Sequence, residues 1–123
     1  MSNNKVLVVD DDPDIVGLLE VIFTSMGWDV ITAKTGKEAK ELHSNYNKKI
    51  CVIVLDVQMP EFDGFMFLEW LRNERKSQVP VILSTGLSID QVGHKANEYS
   101  DIEVLNKPYT MQQLVMKLKK WKV

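Results

Sequence analysis

Five short apolar runs recur along the chain, at residues 6–9, 28–32, 51–55, 81–83 and 102–105. Their length and their content of valine, isoleucine and leucine predict strands buried on both faces. Between them the apolar positions change to helical spacing. Ile15, Leu18, Leu19 and Ile22 share one face, after Asp12 as cap and Pro13 at the first helical position, and Gly27 follows Met26 as a stop. Thr35 with Glu38 forms a capping box, and Ala39 and Leu42 continue that helix. A third helix is predicted from Gly64 to about Arg72, with Phe65, Leu68 and Leu71 as its apolar face. Ser88 with Gln91 and Thr110 with Gln113 open two more helices by the same box logic, and Met111, Leu114, Leu118 and Trp121 form the buried stripe of the last. The alternation predicts one α/β domain over residues 1–123: a (βα)5 chain with a doubly wound, five-stranded parallel sheet.

Composition narrows the class of function. The chain is 45% hydrophobic and 26% charged, with a net charge of −2, so no global basic field draws it to nucleic acid or an anionic membrane. Its apolar runs are too short to span a bilayer. Met1 to Lys5 leads straight into the first strand and leaves no room for a signal peptide. The single cysteine, Cys51, lies in an apolar run and reads as a buried core residue, which suits a reducing compartment, hence the cytoplasm. His43 and His94 fall in predicted helices without metal-ligand spacing and read as surface residues. Met59 and Met66 read as packing. Lys117, Lys119, Lys120 and Lys122 crowd the last helix, either as a solvated face or as a docking surface for an acidic partner, and Trp121 either packs or marks an interface.

The chemistry sits at the strand ends. The first run leads into Asp10-Asp11-Asp12, the third into Asp56, the fourth into Ser84-Thr85-Gly86, and the fifth into Asn106-Lys107-Pro108. In an open parallel sheet these ends share one edge, where ligands bind. Asp10, Asp11 and Asp56 would form a hard oxygen site suited to Mg²⁺. Kept ionised by a cation, Asp56 can act as a nucleophile toward a phosphoryl group. Lys107 and the Thr85 hydroxyl would then face the transferred oxygens, and Gly86 would leave room for the incoming group. Asp12 is assigned to helix capping instead. A lone Asp at a strand end is usually a cap and a lone Lys-Pro is usually surface punctuation; the signal is their joint occurrence, in order, at four of five predicted strand ends.

Val8-Val9-Asp10-Asp11, Leu55-Asp56-Val57-Gln58-Met59-Pro60 with Asp63-Gly64, Thr85-Gly86 and Lys107-Pro108 together resemble the receiver domain of two-component response regulators, over essentially the whole chain. The resemblance implies a flavodoxin-like fold of strand order 2-1-3-4-5. It implies Asp56 as phosphoacceptor, Asp11, Asp56 and the Gln58 backbone carbonyl as Mg²⁺ ligands, and Asp10 acting through water. It implies Thr85 and Lys107 as the phosphoryl-sensing pair, a cis Lys107–Pro108 bond, and a loop after Asp56 shaped by Met59-Pro60 and Asp63-Gly64. Gln58 and Leu87 match the two positions that tune phosphoryl lifetime in the family. Val104 stands where many receivers carry a switching aromatic, so the usual coupling to the Thr is missing, and signal transmission is expected through the segment from Thr85 to Tyr99.

The function so implied is a signalling receiver and not an enzyme beyond its own phosphorylation and dephosphorylation. A histidine kinase or histidine phosphotransfer protein would supply the phosphoryl group. A downstream effector protein, or an output domain following in a longer regulator, would read it, and receivers can also form homodimers through the last two helices and strand. A degenerate receiver serving as a scaffold is the alternative. A haloacid dehalogenase-type hydrolase would need a second Asp where Gln58 stands. A nucleotide or flavin binder would need a Gly-rich loop where Asp10-Asp11-Asp12-Pro13 stands.

Overall fold

The computed structural model describes residues 4–46, 49–59, 62–86 and 89–121. Five parallel strands make the main sheet: β1 (Lys5–Val9), β2 (Asp29–Ala33), β3 (Ile50–Asp56), β6 (Val81–Thr85) and β7 (Ile102–Asn106), in the order β2-β1-β3-β6-β7. Counted within that sheet the order is 2-1-3-4-5, as expected. A two-stranded antiparallel hairpin, β4 (Gln58–Met59) with β5 (Phe62–Asp63), follows β3. The helices are α1 (Pro13–Ser25), α2 (Gly36–Tyr46), α3 (Gly64–Glu69), α4 (Ile89–Ala96) and α5 (Met111–Lys119).

Strand alternation divides the core in two. Leu7, Val9, Ile53, Leu55 and Leu83 face one layer, closed by Ala39 of α2, Phe67 and Leu68 of α3, and Val92 and Ala96 of α4. Val6, Val8, Val52, Val54 and Ile82 face the other, closed by Leu19, Ile22 and Phe23 of α1 and Leu114 and Leu118 of α5. This is why the strands are apolar at nearly every position. No helix among the described residues is long and apolar enough to cross a membrane.

The helix signals act as read. The Asp12 carboxylate accepts from the Asp14 N–H at 2.9 Å, and Gly27 takes a φ of +84° just past α1. The Thr35 hydroxyl accepts from the Glu38 N–H, and Thr110 and Gln113 complete a reciprocal box at α5. Ser88 lies outside the described residues. The second strand is displaced by one residue, because its pairing with β1 sets its limits: Lys5 opposes Asp29 and Val9 opposes Ala33.

Several expectations need correction. The third helix does not continue as an α-helix to Arg72. After Glu69 it widens into a π-turn over Trp70–Glu74, closed by the Arg75 N–H on the Trp70 carbonyl at 3.0 Å. Arg72 is buried there, and its guanidinium joins two loops by donating to the Ser77 carbonyl (3.0 Å) and the Ser100 carbonyl (3.1 Å). Phe65 is only half-buried, while Phe67 takes the core position. His43 is not a surface residue but fully buried, because it lies one turn beyond Ala39 on the face that packs against the sheet. His94 is exposed. Leu18 and Met111 point outward, at 43% and 49% exposure: Leu19, Ile22 and Phe23 seat α1, and Leu114 and Leu118 seat α5, with Trp121 packed beside them. Cys51 is half-buried, because the start of its strand lies at the edge of the second layer.

Candidate functional site

The carboxyl ends of β1, β3, β6 and β7 lie side by side at one edge of the sheet, since these strands are neighbours in its order. β2 is the outer strand beside β1, and its last carbonyl, on Ala33, accepts from the Asp10 N–H at 3.1 Å. That bond fixes the backbone where β1 ends. Asp10 and Asp56 are buried, at 2% and 4% exposure, and Asp11 is exposed beside them. One carboxylate oxygen from each of the three falls within 4.8 Å of the others. The Lys107 Nζ reaches in from the end of β7, 3.1 Å from Asp10 Oδ2 and 3.4 Å from Asp56 Oδ2.

The charges in this cluster are strongly coupled. Burial pushes the Asp56 carboxyl above its ordinary range, and the neighbouring Asp10 charge adds to that; the Gln58 N–H and Lys107 oppose it. Burial works against the Lys107 charge as well, but Asp56 and Asp10 outweigh it and hold the ammonium above its usual range. One lysine serving two buried carboxylates leaves the site short of positive charge. Three oxygen donors of hard character, two of them buried, fit Mg²⁺, which takes one or two carboxylates with water and phosphate oxygens.

The loops around Asp56 are held closely. The Gln58 N–H donates to Asp56 Oδ1 at 2.9 Å, and the Asp12 N–H donates to Asp10 Oδ1 at the same distance. Each carboxylate is thus fixed from its own strand end. Gly64, the first residue of α3, comes so close that a Cβ there would lie 2.7 Å from Val57 Cα and 2.8 Å from the Asp56 carbonyl oxygen. Only glycine lets α3 start so close to the end of β3. Thr85 ends β6, fully buried, and its carbonyl accepts from the Lys107 N–H at 2.7 Å, tying the two strand ends together. The Lys107–Pro108 bond is cis, as the resemblance implied. Gly86 is exposed, with open space where a Cβ would stand, so no steric need for glycine is visible there. Leu87 lies outside the described residues. Val104 is half-buried in β7, beside an open groove of about 640 Å³ along α5.

Asp10, Asp11, Asp56, Gln58, Thr85, Gly86 and Lys107 all lie at this one edge, on or just past the ends of their strands. Two neighbours carry no role in the sequence reading: Ser84 enters it only as part of the polar end of the fourth run, and Tyr109 does not enter it. Ser84 and Tyr109 are buried behind the carboxylates. The available signal was a serine inside an otherwise apolar strand and an aromatic directly after Lys107-Pro108.

Residues 6–119 match the family model of the response regulator receiver domain. The alkaline phosphatase synthesis transcriptional regulatory protein PhoP of Bacillus subtilis is 33% identical over 117 residues, which cover 95% of this chain and 48% of PhoP. The chain therefore spans about half the length of such curated relatives. Among solved structures, the receiver domain of the Francisella response regulator 1452 is 34% identical with a TM-score of 0.81, covering 96% of this chain and 95% of that one. The response regulator TrrA of Thermotoga maritima, solved in complex with Mg²⁺ and BeF, is 28% identical with a TM-score of 0.78, covering 95% and 97%. Likeness of this extent, with the strand order and the acidic edge already described, places the chain in the response regulator receiver domain family.

Proposed function

We propose that this chain is a working phosphorylation switch, with Asp56 as the phosphoacceptor. The observation that carries the reading is the clustering of Asp10, Asp11 and Asp56 within 4.8 Å, with Lys107 on two of them. A scaffold that had lost the chemistry would have no reason to keep two buried acids against each other at the cost of their mutual repulsion.

In the proposed reaction an Asp56 carboxylate oxygen attacks phosphorus, and the bond from phosphorus to the donor breaks. The donor is a phosphohistidine of a histidine kinase or histidine phosphotransfer protein, whose imidazole nitrogen leaves with the bonding pair. Mg²⁺ held by Asp11, Asp56 and the Gln58 carbonyl, with Asp10 through water, would neutralise charge on the phosphoryl oxygens. Lys107 faces a further oxygen as an ammonium, and the Thr85 hydroxyl donates to another. Gln58 is suited to orient the water that later hydrolyses the acyl phosphate, and Leu87 to shield it. The phosphoryl charge then biases a two-state surface. With Val104 lacking an aromatic ring, the signal passes through the segment from Thr85 to Tyr99. The reader is a separate effector or an output domain of a longer regulator, in the cytoplasm, with a homodimer through α4, β7 and α5 as one form of output. Residues 1–123 are read as one receiver domain.

Intact mass after incubation with acetyl phosphate and Mg²⁺ tests the reading. One phosphoryl adduct is expected, absent in Asp56→Asn and absent with EDTA. Failure of the wild-type chain to take up either acetyl phosphate or beryllofluoride would favour a phosphorylation-independent scaffold.

A further inference from the structure

Two hydroxyls behind the carboxylate cluster have, among the described residues, only each other as partners. Ser84 is fully buried and Tyr109 is 9% exposed, and neither side-chain oxygen completes a hydrogen bond of standard geometry. Leaving such groups unpaired is unfavourable, and native proteins rarely do so without a reason.

Their placement points to a reason. Ser84 is in register with Asp56 on the neighbouring strand, and Leu105 of β7 opposes it on the other side. Residues in register on parallel strands share a face of the sheet. Ser84 therefore stands on the acceptor's own side, beneath the strand ends. Tyr109 follows two residues after Lys107 and packs into the same layer as Leu105. Its phenol interacts with the Ser84 hydroxyl and lies near enough to feel Lys107, Asp10 and Asp56; burial holds it above its usual range. The two hydroxyls are thus buried dipoles, each with a rotatable proton, set beside the group that gains charge.

We propose that Ser84 and Tyr109 are positioning residues for the phosphorylated state: their hydroxyls, which have only each other as close polar neighbours among the described residues and no bond of standard geometry, turn to stabilise the negative charge added at Asp56. In a dry site a dipole counts for far more than in water. Phosphorylation places at least one further negative charge where a single lysine already serves two acids. Hydroxyls that can reorient supply part of the solvation that burial removes. In this proposal the pair acts from behind Asp56, as neither a metal ligand nor a partner of the phosphoryl oxygens. This inference rests on the receiver reading above.

The test uses the whole chain with Tyr109→Phe, Ser84→Ala and the double variant. Tyr109→Phe keeps the ring in its packing, and Ser84→Ala removes one oxygen, so folding is retained. Beryllofluoride affinity at saturating Mg²⁺ is followed by amide NMR, Mg²⁺ affinity alone by the same shifts, and melting temperature without either. Each single variant is expected to bind beryllofluoride about 3- to 10-fold more weakly, the range of one hydrogen-bond contribution. The double variant is expected to match the singles, because the hydroxyls act as a unit. Mg²⁺ affinity should not weaken, and the melting temperature should hold or rise as unpaired groups leave the core. Unchanged beryllofluoride affinity in both single variants would overturn the proposal. So would a loss that tracks a falling melting temperature, which is what a packing role gives. A wild-type chain that binds no beryllofluoride would instead overturn the receiver reading.

Discussion

His43 is expected to make the stability of this protein sensitive to acid. Both ring nitrogens are buried without a hydrogen-bond partner among the described residues, and the ring meets Trp70 edge-on, with centroids 5.6 Å apart and planes at 78°. Burial lowers its pKa, and the Arg75 charge lowers it further. The folded state therefore favours the neutral ring, whereas the unfolded chain takes up a proton near the ordinary value of 6.5. Stability is complete above that value and is lost as pH falls below it, by at most about 1.4 kcal/mol per pH unit until the folded pKa is reached. His43→Leu keeps an apolar side chain of similar size at the site. Removing an unpaired nitrogen gains about 1–3 kcal/mol. Losing the edge contact with Trp70 costs about 0.5–1.5 kcal/mol. The net expectation is that the variant is about 1 kcal/mol more stable at pH 7.5, or about 3–5 °C in melting temperature. By pH 5.5 the wild type has lost up to about 1.4 kcal/mol more than the variant, so the gap widens to about 2 kcal/mol. Urea denaturation followed by far-UV circular dichroism at several pH values gives the difference curve, and the pairing with the variant cancels every carboxylate. A gap that stays constant or closes in acid would refute the reasoning, as would an NMR titration of the His43 ring at or above 6.5.

Four further outcomes follow from other parts of the fold. Because burial and Asp10 raise the Asp56 pKa, Asp56 contributes stability only below its unfolded value, and that is lost as pH rises through the folded one. Asp56→Asn should thus melt higher than the wild type at pH 7 without metal; and Mg²⁺ at a hundredfold excess over Kd, worth about 2.7 kcal/mol to the wild type by linkage, should raise its melting temperature by less in the variant. Gly64→Ala would force the α3 backbone from Val57 and Asp56 and should cost about 1–3 kcal/mol while weakening phosphorylation, measured by denaturation and intact mass. Thr110→Ala removes the hydroxyl that accepts from the Gln113 N–H at the start of α5, leaving the backbone N–H of residue 110 on the Gln113 side chain, and should cost about 1 kcal/mol in urea, with phosphorylation of Asp56 unchanged. Val104→Tyr should strengthen phosphorylation-dependent partner binding, measured by titration of the partner, if the missing aromatic is what uncouples this position from Thr85; no change would show that the route does not pass through position 104.

What the sequence revealed and what it hid differ in one physical respect. Asp10, Asp56, Thr85 and Lys107 each follow an apolar run, and a parallel sheet brings such ends together whatever the details of packing. The caps at Asp12, Thr35 and Thr110 are equally local, because each side chain bonds a backbone N–H two or three residues on. His43, Trp70 and Arg72 gave no such signal. Their burial depends on α2 lying against α3 and on a turn that widens over Trp70–Glu74. Polar residues at helical spacing read as solvent-facing until the partner helix is known. The same holds for Ser84 and Tyr109, which are 25 residues apart in sequence and meet only because β6 and β7 pair. Ser84 is the informative case: an apolar side chain would pack at this fully buried position without leaving a hydroxyl unpaired. A serine there, in register with Asp56 and with only the Tyr109 hydroxyl beside it among the described residues, is what the proposed arrival of phosphoryl charge at Asp56 would account for and packing alone would not.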